Sequence, residues 1–180
     1  MFLIRKSKLI NISFISIGLF LILEIICRLI LGLGTPPLYE EHPTIEYLLK
    51  PNQKLKRFHN NITINSLGMR SDEFLNPKNN SLTRVLIFGD SVLWGGSRLD
   101  QKFIASEILK EKLNSNGRNY EVGNISAGGW GPGNWLEYVK EKGLHDADDV
   151  ILVISSHDSS DNPVYNSLKN NHKFPTTNPK

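Results

Sequence analysis

Two runs of this chain, 84–88 (Arg-Val-Leu-Ile-Phe) and 150–154 (Val-Ile-Leu-Val-Ile), are apolar at nearly every position. A strand with one face in water alternates polar and apolar residues, so an unbroken apolar run belongs to a strand buried on both faces. Such strands occur mostly in parallel sheets, which need a crossover, usually a helix, between neighbours. The sequence between the runs has the spacing for two crossovers. Phe103, Ile104, Ile108, Leu109 and Leu113 recur at helical intervals, which predicts a helix over 102–114, closed by Asn116-Gly117. A second strand follows over 120–124, then the glycine-rich loop 128–133, then a helix begun by Trp135, Leu136 and Val139 and stopped at Gly143. The order β-α-β-α-β predicts an α/β domain with a parallel sheet and right-handed crossovers.

The first 34 residues stand apart from that domain. Arg5, Lys6 and Lys8 precede 9–33, a stretch dominated by Ile, Leu and Phe. As a helix this length crosses a hydrocarbon core of ~30 Å. Positive charge ahead of it predicts a cytoplasmic amino terminus and export of the domain beyond the helix. Glu24 and Arg28 interrupt the run at a spacing of four, which on a helix puts them on one face, where each offsets the other's charge. A cleavable signal peptide is the rival reading, with Gly32-Leu33-Gly34 as a small-x-small cleavage site. The length of the run and its two charges favour an uncleaved anchor.

The chain therefore divides into an anchor over 1–34, a linker and lead-in arm over 35–82, the α/β domain over 83–165, and a polar tail over 166–180. Thr35-Pro36-Pro37 breaks the helix, and the tail has no periodic pattern and reads as disordered or unfinished. The net charge of +3 is spread without an arginine-rich run, which gives nucleic-acid binding no support. Cys27 is the only cysteine, so no intrachain disulfide can form. Histidines and carboxylates fall at no zinc-ligand spacing, so no metal is expected. The segment 89–96 lacks the Gly-x-Gly-x-x-Gly and Gly-Lys-Ser/Thr patterns that cradle phosphates, and no cofactor is expected.

Three strand ends converge on one edge of the predicted sheet, the edge at which open α/β sheets bind ligands. They deliver Gly89-Asp90-Ser91, the loop around Gly129, and Ser155-Ser156-His157-Asp158. A serine so placed is a candidate nucleophile when a base and an oxyanion site accompany it. These blocks resemble those of the SGNH (GDSL-type) hydrolase superfamily, with Val92 where the name-giving leucine would stand. Asn124-Ile125-Ser126-Ala127-Gly128-Gly129 matches the second block, and 155–158 stands where the family has Gly-x-Asn-Asp. The segments 47–52 and 64–70 look like the lead-in of membrane-anchored bacterial members.

The resemblance implies a partial flavodoxin-like, three-layer domain behind one transmembrane helix, in the bacterial cytoplasmic membrane with its carboxyl-terminal domain exported. It implies Ser91 as nucleophile, with the N–H groups of Ser91 and Gly129 stabilising the oxyanion and Asp90 and Asp158 in support. The substrates it implies are acyl esters, with surface polysaccharide as carrier, for an esterase or an O-acyltransferase. His157 replaces the family's asparagine. It either donates its ring N–H to the oxyanion or acts as base to Ser91. The family's Asp-x-x-His block occurs nowhere in the chain, so the base is missing. The expectation is an amino-terminal fragment without esterase activity, and the alternative is a non-catalytic, membrane-anchored remnant or binding module.

Overall fold

A computed structural model describes residues 2–165, 167–169 and 171–179, with side chains described from Asn11 onward. Helix α1 (Phe2–Ile25) runs on into a wider turn, Ile26–Ile30. Its stretch Asn11–Ile30 is long and apolar enough to cross a membrane. The Glu24 carboxylate accepts from Arg28 Nε at 2.5 Å, the pairing that their spacing predicts.

The lead-in arm forms two antiparallel hairpins. Strands β1 (Tyr39–His42) and β2 (Glu46–Leu49) pair in one, β3 (Gln53–Arg57) and β4 (Asn60–Ile64) in the other. The α/β part follows as β5 (Thr83–Gly89), α2 (Ser91–Trp94), a 3-10 turn at Gln101–Phe103, α3 (Ala105–Asn114), β6 (Tyr120–Ser126), α4 (Pro132–Lys142) and β7 (Asp149–Leu152). Its sheet is wholly parallel, in the order β6-β5-β7.

Alternate residues of β5 serve two cores. Val85 and Ile87 join Leu93, Val122, Leu109 and Leu113 on the α3 side. Leu86 and Phe88 point the other way, into a larger core with Trp135 and Tyr138 of α4. Tyr39, Ile45, Tyr47, Leu49, Ile62 and Ile64 of the arm are buried in that same core. The arm is thus a structural layer, not a tether. Arg70 anchors it. The Arg70 backbone N–H donates to the Asn124 carbonyl, covering the flank of β6, and its buried guanidinium donates to the carbonyls of Trp94, Gly96 and Leu99, each at 2.7 Å.

Two expectations need correction. The third strand is shorter than 150–154 and is not buried on both faces. All four residues of β7 are exposed, and among the described residues it pairs with β5 alone. Val150 (45%), Leu152 (53%) and Ile154 (67%) line an open apolar groove of about 330 Å³ against Trp135, Leu136 and Val139. The described residues of the tail are also ordered against the arm. Leu168 is buried, the Phe174 ring stacks on Tyr47 at 4.2 Å, and the Pro175 carbonyl accepts from the Tyr39 N–H. Glu41 holds the tail through the Leu168 N–H (2.5 Å) and the Ser167 hydroxyl (2.9 Å), and it also accepts from the hydroxyl of Tyr165, just before the tail (3.2 Å).

Candidate active site

The strand-to-helix turn at the end of β5 is built around its small residues. A Cβ on Gly89 would lie 2.7 Å from Leu93 Cβ, so glycine lets α2 fold back closely over the strand end. Asp90 caps α2, its Oδ1 accepting from the Val92 N–H at 2.8 Å. Ser91 then occupies the first helical position, and its side chain is exposed. Gly95, at φ +71, ends the helix after one turn.

Strand β6 runs in register with β5, Ser126 opposite Gly89, so the glycine loop emerges level with Ser91. A Cβ built on Gly128 would sit 4.0 Å from Ser91 Cβ, which places this loop in contact distance of the serine. Gly129 has φ +83, a left-handed conformation that glycine adopts without strain. Neither the Ser91 nor the Gly129 N–H has a hydrogen-bond partner among the described residues. Two free N–H groups beside a serine are the donor type that stabilises a developing oxyanion.

The third block joins the other two through its backbone and its short side chains. Ser155 Oγ lies 3.1 Å from Asp90 Oδ2 and 2.8 Å from Asp158 Oδ1, and its single hydrogen serves one carboxylate at a time. Asp158 is buried and also accepts from the Ser155 N–H at 2.7 Å. A Cβ on Gly131 would fall 2.6 Å from the Asp161 carbonyl oxygen and 2.7 Å from that of Asp158, so loop and third block touch backbone to backbone. His157 is different. Its ring is exposed and forms no hydrogen bond among the described residues, and only its carbonyl is used, accepting from Ser160 N–H and Oγ. The Asp158 carboxylate binds Ser155 rather than orienting the His157 ring.

Two residues away from the strand ends also shape the site. The Tyr47 hydroxyl donates to the Gly128 carbonyl. Burial, with the nearby Glu46 carboxylate, raises the Tyr47 pKa and keeps the phenol a donor. Phe174 comes within 3.9 Å of the Cβ position of Gly128 while stacked on Tyr47. An aromatic pair from the arm and the tail therefore backs the glycine loop. Tyr47 opens the lead-in segment 47–52, a signal that could have singled it out; Phe174 has no local signal. His145 is half-buried beside Tyr138, 3.3 Å from its hydroxyl, and burial with Arg84 lowers its pKa.

No group of three metal-ligating side chains exists among the described residues. Comparison with protein-family models, curated proteins and solved structures returned no match.

Proposed function

We propose that this chain is the nucleophile-bearing part of a membrane-tethered SGNH-type serine esterase or O-acyltransferase, with a flavodoxin-like domain facing outward. One observation carries the reading: Ser91 opens α2 at the carboxyl end of a central parallel strand, beside a glycine loop with a free backbone N–H. In the proposed chemistry Ser91 Oγ attacks an ester carbonyl. Its proton passes to a base, and the N–H groups of Ser91 and Gly129 hold the oxyanion, a contribution of ~3 kcal/mol per donor. Collapse of the tetrahedral adduct breaks the ester bond, expels the alcohol with a proton, and leaves an acyl-serine. Water then completes an esterase cycle and an acceptor hydroxyl completes a transferase cycle. Acyl esters of surface polysaccharide are the proposed substrates.

Among the described residues no histidine ring is hydrogen-bonded to Ser91, Asp90 or Asp158. That observation favours a second reading, a non-catalytic binding module, for the 180-residue chain by itself. The test uses two proteins, this chain and a version extended by whatever coding sequence lies beyond Lys180. A fluorophosphonate probe should label Ser91 in an extended chain that carries Asp-x-x-His, and Ser91→Ala should abolish labelling and acetyl-ester turnover. The 180-residue chain should show neither. Unlabelled Ser91 in such an extended, folded chain removes the nucleophile. Turnover by the short chain, lost in Ser91→Ala, removes the missing-base reading.

A further inference from the structure

The outer end of α1 is clamped by the arm. A rise of 1.5 Å per residue makes the 20 residues Asn11–Ile30 about as long as a hydrocarbon core is thick. With α1 across a bilayer, Leu31, Gly32 and Leu33 stand at headgroup level. The β3–β4 hairpin tip is bonded to those three residues. The Phe58 N–H donates to the Leu31 carbonyl at 2.8 Å, and Arg57 Nη1 approaches the carbonyls of Gly32 (3.3 Å) and Leu33 (3.4 Å). Contact is close enough that a Cβ on Gly32, at φ +66, would collide with the Lys56 carbonyl oxygen.

Positive charge gathers at this tip. The guanidinium carbons of Arg57 and Arg98 lie 5.1 and 6.0 Å from the Phe58 ring centre. Lys56, His59 and Arg98 are exposed, while Arg57 and Phe58 are half-buried. Asn60 Nδ2 donates to the Ser97 carbonyl at 3.3 Å, which ties the loop bearing Arg98 to the hairpin. The nearby acid is Asp100, whose Oδ2 accepts from the Asn61 N–H at 2.7 Å and from Asn61 Nδ2 at 3.1 Å. Neither Lys56 nor Arg98 has a carboxylate partner among the described residues.

We propose that the hairpin tip, with Lys56, Arg57, Phe58 and Arg98, is a foot that binds the phosphates of anionic lipids in the leaflet at the outer end of α1. The proposal rests on α1 spanning a bilayer and is independent of the chemistry at Ser91. Arg57 and Phe58 are held by the helix end itself, so the foot is fixed at headgroup depth, and Lys56 and Arg98 supply charge complementary to lipid phosphate. The foot fixes the height and tilt of the domain above the membrane.

The test places the full chain in nanodiscs of phosphatidylcholine, with or without phosphatidylglycerol, and follows amide hydrogen exchange over 56–62. Anionic lipid should slow exchange there by about fivefold for each cation engaged. The K56Q/R98Q double variant should lose that lipid dependence while β5 amides stay protected. Equal exchange in the two disc types, or a lipid dependence that survives in the double variant, overturns the proposal. So does equal protection by inorganic phosphate added to phosphatidylcholine discs, which would mark a free-anion site. A chain that does not co-purify with discs instead refutes the spanning helix.

Discussion

Replacing Arg70 with methionine keeps most of the side chain's volume and removes its donors. The carbonyls of Trp94, Gly96 and Leu99 each lose a 2.7 Å hydrogen bond, and Gln101 Oε1 loses a 3.2 Å contact with Nε. The Trp94 ring, 4.8 Å from the guanidinium carbon, loses its cation as well. Burial lowers the Arg70 pKa to about 10, so it carries its charge at neutral pH and removing it relieves a desolvation cost. Each orphaned buried acceptor costs about 1–3 kcal/mol. Trp94 is buried whereas Gly96 and Leu99 are half-buried, which sets the net loss at roughly 4 kcal/mol. A domain has about 5–15 kcal/mol in all, so Arg70→Met should leave a folded protein with little reserve. In urea titrations read by tryptophan fluorescence, a slope near 2 kcal/mol per molar turns that loss into a midpoint about 2 M lower. A midpoint moved by less than about 0.5 M would sink the idea that Arg70 locks the arm to the loop after Ser91.

Contacts elsewhere in the molecule set two further outcomes. The hydrogen bonds from Leu168, Ser167 and Tyr165 hold the Glu41 carboxyl below its ordinary pKa. A depressed carboxylate contributes stability above its unfolded value that is lost as pH falls through the folded one. Tail amides should therefore exchange faster as pH drops below the ordinary carboxylate range, after correction for intrinsic rates, and Glu41→Gln should flatten that response; an unchanged tail refutes it. Gly131→Ala should force the loop off the Asp158 and Asp161 carbonyls at a cost of about 1–3 kcal/mol; a variant with wild-type stability would show the backbone contact to be slack.

The sheet and the serine turn are legible in the sequence because their signals are local. An apolar run followed by Gly-Asp-Ser marks a strand with a serine at its carboxyl end within a dozen residues. The exposure of the faces of β7 is not legible, because an apolar run does not record whether a helix covers it. The order of the tail is hidden for a related reason. Asn, Lys, Pro and Thr give it no period, and it is held through Glu41 and an aromatic stack whose partners lie in the distant arm. The exposed ring of His157 cannot be foreseen from Asp158 beside it in sequence, since that carboxylate turns back to Ser155.

The joining of arm and tail bears on the order in which the molecule can fold. Lys50 Nζ donates to the Thr176 carbonyl across 126 residues, and the Leu168 N–H reaches Glu41 across 127. Contacts of such span close late, because loop entropy is lost before they form. During synthesis the arm emerges first yet must wait, its aromatic face uncovered, until residues 168–176 have emerged. Refolding should therefore show a slow phase in which the sheet is formed and the arm still opens. In that interval the hairpins, rather than the sheet, are the segment most open to proteases.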